Sequence, residues 1–176
     1  LYISDTHNNL VRKINGNNNR TFTVAGIPNQ SGFSGDGGLA KNAKLDTPIS
    51  ISLTPDEKTL LIADIRNRRI RAVDIGSGVI RTLAGNGKKG KPIAGKLTLE
   101  QPLIDPRAAI MDEAGNLFIL ARSRNALRVV HPDGKIYTLA GTGKKGQLDG
   151  PALQATFSGP KHLCLDRKGR IIIADD

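Results

Sequence analysis

The segment 60–84, LLIADIRNRRIRAVDIGSGVIRTLA, recurs along this chain and constrains its fold more than any other feature. Related segments begin at Leu1 and Leu117, and a fourth begins at Ile171, so the intervals are 59, 57 and 54 residues. Each copy consists of short apolar runs separated by turns rich in Asp, Asn or Gly, which leaves no room for a helix. The pattern is therefore typical of a repeat protein built from strands.

A long Gly-rich loop with a shared ending lies between consecutive copies. The endings are Leu45-x-x-Pro48, Leu103-x-x-Pro106 and Phe157-x-x-Pro160. A further strand is predicted after each proline, which gives a unit of four strands, 49–54, 60–63, 69–74 and 79–84. Unit boundaries are expected near residues 48, 106 and 160. Both end units are incomplete, so we expect residues 1–176 to be a fragment of a larger protein.

The unit cannot bury its own apolar surface, because its middle strand, 60–63, is apolar on both sides. Stacking the units around an axis buries both faces, which predicts an all-β propeller with one four-stranded antiparallel blade per unit. A linear β-solenoid is the alternative, although its repeats are usually much shorter and need no hairpins. The propeller is the better fit.

The motif Leu-Leu-Ile-Ala-Asp64-x-x-Asn67-x-x-Ile-Arg71 resembles the NHL repeat, in the long-loop form common in bacterial proteins. The likeness extends to the following Thr-Leu-Ala-Gly-x-Gly, the Gly-Asp-Gly-Gly loop and the Leu-x-x-Pro strand entry, and it spans essentially the whole chain. It implies a six-bladed ring, of which this chain would be about half. The remaining blades are expected from the rest of the same protein, with a second copy of the chain as the alternative. It favours a secreted or periplasmic location, and it implies no single function, because propellers host many.

The Asp-x-x-Asn turns have a structural and a functional interpretation. The pairs Asp5/Asn8 and Asp64/Asn67 can accept bonds from downstream backbone N–H groups, and arginines 12, 71 and 128 recur in the next strand. The third copy has Ala121 and Arg124 instead. A catalytic pair is not expected in several copies or to be lost in one, so the turns are predicted to be blade architecture.

Other candidate sites also have a simpler structural interpretation. Asp36 and Asp149 in Asp-Gly pairs could ligate calcium, but one carboxylate per loop favours a turn role. The strings Gly-x-Gly-x-x-Gly at 85–90 and 141–146 match a dinucleotide motif, yet no helix is expected after them. Cys164 is expected to be a buried small hydrophobe. No metal site or cofactor is predicted.

Basic residues are predicted to concentrate on one face of the propeller. The chain has 26 Lys and Arg against 16 Asp and Glu, a net charge of +10. The loop that enters each inner strand and the turn between the second and third strands should open on the same face. The basic residues of these loops are Arg66, Arg68, Arg69, Lys88, Lys89, Lys91, Arg107, Arg122, Arg124, Lys144, Lys145 and Lys161. They are the predicted ligand-binding residues. Asp36, Asp105 and Asp149 are predicted on the same face and reduce its net positive charge.

Three functions remain open from the sequence. The first is a non-enzymatic interaction scaffold that binds a protein partner through this face. The second is binding of RNA or another polyanion, although no aromatic residue is expected to cluster with the loops as a stacking platform. The third is a propeller-type lyase or lactonase, which would need Asp36, Asp105, Asp149 and His162 to converge around a channel metal. No apolar run approaches the roughly 20 residues of a membrane helix.

Overall fold

The computed structural model describes residues 1–176 and contains four antiparallel sheets that follow one another along the chain. The first sheet holds β1 (Tyr2–Asp5), β2 (Leu10–Ile14) and β3 (Thr21–Ala25). The second sheet holds β4 (Pro48–Leu53), β5 (Thr59–Asp64), β6 (Arg69–Asp74) and β7 (Ile80–Ala84). The third sheet holds β8 (Lys96–Leu97), β9 (Pro106–Met111), β10 (Leu117–Ala121), β11 (Ala126–Val130) and β12 (Lys135–Ala140), and the fourth holds β13 (His162–Leu165) and β14 (Ile171–Ala174). The helical segments are 3-10 turns of three residues, too short to span a bilayer.

The second sheet confirms the predicted four-strand unit, since its strands begin and end within a residue of the predicted limits. The third sheet repeats the unit with β9 to β12, and the first and fourth sheets hold three and two strands as predicted. The two-residue strand β8 was not predicted. It lies in a loop rich in Gly and Lys and pairs with the outer edge of β12, so no local sequence pattern marks it.

The middle strand of the second sheet is buried on both faces, as predicted. Leu60 and Ile62 of β5 belong to a core shared with Val11 of the first sheet. Leu61 points the other way and joins a core shared with Ile119 of the third sheet. All five side chains are at most 1% exposed. Because alternate residues of a strand point to opposite faces, the sheets stack face to face as consecutive blades.

The third and fourth sheets stack in the same way. Phe118 and Leu120 of β10 share a core, against which Leu163 and Ile173 pack. Cys164 lies between the inward-pointing leucines of β13 and is exposed. The prediction that Cys164 is buried was therefore wrong, because the pleat of the strand directs the side chain between two inward residues to the opposite face.

The long loops are fixed to the sheets by short apolar anchors. Leu45 and Leu103 of the Leu-x-x-Pro motifs are buried. In the first long loop, the sequence Ala40-x-x-Ala43 forms the 3-10 turn Ala40–Asn42. In the last loop Ala155 N donates to Pro151 O at 3.0 Å, which closes one turn. The Gly-rich segments between these anchors are therefore held against the blades.

Candidate functional site

Two classes of loop meet at one end of the sheets, called the loop face below. They are the turn between the second and third strands of a blade and the long loop between blades. In the second sheet Arg66 N donates to Asp46 O at 3.2 Å. Arg68 Nη1 donates to Gly87 O in the next long loop at 3.3 Å. The turn therefore contacts both neighbouring long loops, in agreement with the prediction that both classes open on one face.

The Asp-x-x-Asn turn of the second sheet is built around a buried carboxylate. Asp64 ends β5, is fully buried and accepts bonds from Asn67 Nδ2 and Asp46 N, both at 2.8 Å. Arg71 Nη1 lies 3.5 Å from the same carboxylate. Burial outweighs these contacts and raises the pKa of Asp64 to about 6. The bonds of Asp64 run within the turn and to the preceding loop, while Nε and Nη1 of Arg71 have no hydrogen-bond partner. These internal contacts agree with the prediction that the turn is blade architecture.

The recurring arginine follows a β-bulge in three sheets. The pairing register shifts immediately before Arg12, Arg71 and Arg128. A bulge re-aims the side chain that it precedes. In the first sheet Arg12 Nη1 lies 3.5 Å from Asp5, whose carboxylate also accepts a bond from Asn8 at 2.9 Å. The first blade thus repeats the arrangement of the second.

Asp36 supplies a second carboxylate to the buried arginine of the second blade. Its Oδ1 lies 2.7 Å from Arg71 Nη2, and its Oδ2 accepts a bond from Thr82 Oγ1 at 2.7 Å. Arg71 Nη2 also donates to Ser34 O at 3.1 Å. The Arg71 side chain is 0% exposed, so this pair compensates a buried charge. The sequence indicated only a turn at Asp36, because the arginine lies 35 residues away.

Phe33, which the sequence pattern did not associate with the basic loops, places one aromatic ring on the loop face. The Arg69 guanidinium lies 3.6 Å from the ring centroid and that of Arg71 lies 4.8 Å away. Arg69 also donates to the carbonyl oxygens of Asn67 and Asn86, both at 2.9 Å. The contact joins a loop to a strand distant in sequence, which is why local pattern missed it. The guanidinium of Arg69 therefore lies over the ring as a cation–π partner.

The predicted basic residues divide by exposure. The exposed ones are Arg66, Lys88, Lys89, Lys91, Arg124, Lys144 and Lys145, and the half-buried ones are Arg68, Arg69, Arg107, Arg122 and Lys161. None of the exposed group forms an ion pair. Lys161, by contrast, lies 2.7 Å from Asp176 and lowers the pKa of that carboxyl. Arg107 lines a different cavity, beside Asp5 and Arg12.

The third blade lacks the carboxylates of the second. Ala121, which ends β10, pairs with the first residue of β11 just as the aspartate ending β5 pairs with the first residue of β6. Arg124 stands three residues later, where the second blade has its asparagine. In the preceding long loop, Ala94 and Gly95 lie near the place of Asp36. Both acidic partners of the recurring arginine are therefore absent.

Arg128 is buried without a carboxylate in contact. The residue lies in β11 and is 4% exposed. Nη1 donates to Thr138 Oγ1, and Nε has no hydrogen-bond partner. Burial, reinforced by Arg124, lowers the pKa of the guanidinium from its ordinary value. A buried donor without a partner costs about 1–3 kcal/mol. The Nε of Arg71 is unpartnered as well, so the feature specific to Arg128 is the lack of a carboxylate.

A cavity of about 410 Å³ opens beside Arg128. Its lining includes the cationic side chains of Lys91, Arg124, Arg128 and Lys144 and no carboxylate. Three of these were predicted as ligand-binding residues, and the structure brings them together from three separate loops. Arg128 was missed because its copies in the other blades marked it as architecture. The sequence signal that distinguishes Arg128 from its copies is the alanine at position 121, where the second blade has an aspartate.

The remaining candidate residues do not converge. No three His, Cys, Asp or Glu residues come close enough to hold a metal ion together. Asp105 accepts a bond from Ser123 Oγ at 2.6 Å, whereas His162 is exposed at the start of β13. Asp36 is already paired as described. The acidic and histidine side chains that a lyase or lactonase would need therefore stay apart within this chain.

The Gly-x-Gly strings are structural. Loops, not helices, follow both copies. Gly85 has φ +89°, and a Cβ there would lie 2.2 Å from Arg68 O; Gly141 repeats this against Asn125 O at 2.3 Å. The first glycine lets the chain leave the outer strand past the neighbouring turn, which agrees with the interpretation that the dinucleotide match is accidental.

No protein-family model matches the chain. It is 29% identical over 151 residues to the protein SUPPRESSOR OF QUENCHING 1, chloroplastic, of Arabidopsis thaliana, covering 80% of this chain and 14% of that protein. It is 25% identical over 183 residues to NHL repeat-containing protein 2 of Gallus gallus, covering 98% of this chain and 24% of the relative. The chain thus spans a small part of the curated relatives it matches.

Solved structures share the fold. A Bacteroides thetaiotaomicron protein of unknown function superposes with a TM-score of 0.77 at 22% identity, covering 99% of this chain and 41% of that one. A chain of a nidogen/laminin complex gives 0.63 at 17% identity, covering 99% and 51%. Virginiamycin B lyase from Staphylococcus aureus gives 0.56 at 14% identity, covering 99% and 44%. At these identities the likeness establishes the propeller architecture alone.

Proposed function

Because this chain forms blades of an NHL-type β-propeller, we propose that it is a non-enzymatic binding module whose loop face recognises an acidic segment of a protein partner. One observation carries the proposal. The exposed cations of the loop face form no ion pairs, whereas Asp36 is paired internally with Arg71. Asp105 likewise bonds to Ser123, and among the aspartates predicted on this face only Asp149 is exposed without a bonded partner. The face therefore presents uncompensated positive charge.

The character of the surface favours a protein segment over RNA. Stacking of bases on aromatic side chains supplies much of single-strand affinity. The aromatic ring on the loop face, that of Phe33, is occupied by Arg69 at 3.6 Å. The structural neighbour in the nidogen/laminin complex belongs to a complex between proteins, which is consistent with a scaffold role. RNA binding is the second candidate, supported by the positive charge alone.

The lyase or lactonase alternative has less support in this chain. A structural neighbour is a virginiamycin B lyase, so the architecture is compatible with an enzyme. The alternative required Asp36, Asp105, Asp149 and His162 to meet in one cavity. They lie apart, and Asp36 is used by Arg71. We therefore base the proposed function on the charge of the loop face.

Charge reversal on the two ends of the sheets tests the proposal. Lys88 and Lys89 lie on the loop face and are exposed. Lys58 and Lys168 are also exposed but lie in the β4–β5 and β13–β14 turns, at the opposite end of the strands. The variant K88E/K89E is compared with K58E/K168E, which changes the net charge equally. The probes are polyglutamate and poly(U), titrated by fluorescence anisotropy at several salt concentrations.

We expect wild-type protein to bind polyglutamate with an affinity that falls as salt rises. K88E/K89E should weaken binding by about tenfold, or roughly 1.4 kcal/mol, while K58E/K168E stays close to wild type. Equal losses in both variants would reject a dedicated face. Binding of poly(U) but not polyglutamate would replace the proposed function with the RNA alternative.

A further inference from the structure

The third blade has a cavity beside its buried arginine, at the place where the second blade has ion pairs. In the second blade, the carboxylates of Asp36 and Asp64 and the ring of Phe33 all lie against Arg71. In the third blade Arg128 occupies the same register, opposite a threonine, as Arg71 does. The space beside Arg128 is a cavity instead of an ion pair.

Besides the absence of a counterpart of Asp36, two substitutions in the turn account for the change in charge. The second blade has an aspartate and an asparagine in its β5–β6 turn, and the third has Ala121 and Arg124. The first substitution removes a negative charge beside the buried arginine, and the second adds a positive one. Lys91 and Lys144, from the long loops on either side, add two further cations to the lining.

Such an arrangement is unfavourable without a ligand. Arg128 is 4% exposed, and its side chain donates to the hydroxyl of Thr138. Its Nε has no partner, which is also true of Arg71, but Arg71 has two carboxylates in contact and Arg128 has none. A buried cation without a counter-ion is costly, because burial removes its hydration and one neutral hydroxyl does not replace it. Like charges in one cavity repel one another as well. A bound anion with several oxygen acceptors would remove both penalties.

We infer that the cavity of the third blade is a binding subsite for a compact oxyanion, a phosphate or carboxylate group, anchored by Arg128 and enclosed by Lys91, Arg124 and Lys144. The planar guanidinium offers directed N–H donors to such a group. The ammonium groups of Lys91 and Lys144 add positive charge at the ends of flexible side chains. A dianionic phosphate matches the several cations better than a monoanionic carboxylate does.

The inference rests on the proposed function in one respect, since it places a recognised anionic group on the same loop face. Its test is separate, because it uses small anions and different residues. Lys88 and Lys89, on which the test with polyglutamate depends, do not line the cavity. Loss of either binding can therefore occur without the other.

The experiment titrates the full chain with inorganic phosphate and, separately, with acetate, by isothermal titration calorimetry at fixed ionic strength in chloride. The main variant is A121D/R124N, which installs the carboxylate and amide of the second blade. The control K88E makes the same change in net charge outside the cavity. A second variant, K91Q/K144Q, alters two exposed side chains only, so its folding is not at risk, and its control is K88Q/K89Q.

We expect saturable phosphate binding that weakens by about tenfold or more in A121D/R124N and in K91Q/K144Q, because charge-assisted hydrogen bonds are lost, and that persists in both controls. Acetate should bind more weakly at the same subsite; tighter binding of acetate would assign the subsite to carboxylate groups. Absence of saturable binding by either anion would overturn the inference. Equal weakening in the variants and their controls would overturn it too.

Discussion

Asp36 and Arg71 form an ion pair of 2.7 Å across 35 residues of sequence. The aspartate lies in the long loop before β4, and the arginine lies on β6, after the β-bulge of the β6–β7 pair. The contact therefore fixes the loop between two blades to the third strand of the following blade. It also links the loop face to the blade core, because the Arg71 side chain is 0% exposed.

The substitution Asp36→Asn should lower the free energy of unfolding by about 1–3 kcal/mol, since the buried guanidinium keeps only the more distant carboxylate of Asp64. Urea denaturation measures the change. Asp149→Asn is the matched control, because it alters an exposed aspartate of another Asp-Gly pair that makes no ion pair. The control should change stability by less than about 0.5 kcal/mol. Equal effects would contradict the structural role of Asp36.

Strand positions were predictable because burial on both faces imposes a continuous apolar pattern on the middle strand. Leu60 and Leu61 belong to separate cores on opposite faces, and both positions must be apolar. The strands β4 and β9 begin at Pro48 and Pro106, so the proline of each Leu-x-x-Pro motif identifies the start of a strand. These signals are local, so the sequence located the four strands of the second sheet within a residue.

The candidate site was only partly predictable, because its chemistry depends on side chains brought together from distant segments. Lys91, Arg124 and Lys144 were identified from the loop classes that hold them. Arg128 was not, since its repeat position alone suggested the same role as Arg71. Only the absence of a carboxylate around it distinguishes the two arginines, and that absence involves positions spread over neighbouring loops.

The glycine that follows each outer strand should not tolerate a side chain. Gly85 has φ +89°, and an added Cβ would lie 2.2 Å from Arg68 O. Gly37 has a similar φ of +83° but nothing within 4 Å of its Cβ position. We expect Gly37→Ala to cost about 1 kcal/mol of stability through backbone strain alone. Gly85→Ala should cost about 2–4 kcal/mol, because a clash with the backbone is added.

Thermal and urea unfolding of the two glycine variants measure this difference. Circular dichroism at a strand wavelength follows both transitions, and wild-type protein is run in parallel. A cost for Gly85→Ala no larger than that for Gly37→Ala would mean that the Arg68 carbonyl moves aside freely. The turn would then be less closely packed than the structure indicates.

Asp64 should titrate near neutrality. Burial raises its pKa to about 6 from the ordinary aspartate value of 3.8. The folded chain then holds the proton more tightly than the unfolded chain does, so the contribution of this group to stability is fully present below pH 3.8 and is lost as pH rises through about 6. Carbon-detected NMR of the side-chain carboxyl measures the midpoint directly. A midpoint below 3.8 would show that Arg71 and Asn67 outweigh burial.

The stacked pair of Phe33 and Arg69 should contribute to stability as a coupled unit. Their separation of 3.6 Å from guanidinium carbon to ring centroid is within the range of a cation–π contact, typically worth about 0.5–1 kcal/mol at partly exposed sites. A double-mutant cycle with Phe33→Leu and Arg69→Gln isolates the coupling from the loss of apolar surface. Phe22→Leu, at an exposed phenylalanine outside any such contact, is the control. The effects of Phe22→Leu and Arg69→Gln on the free energy of unfolding should be additive. Additive effects in the Phe33 cycle would contradict the coupling and would mean that the ring stabilises the loop without help from Arg69.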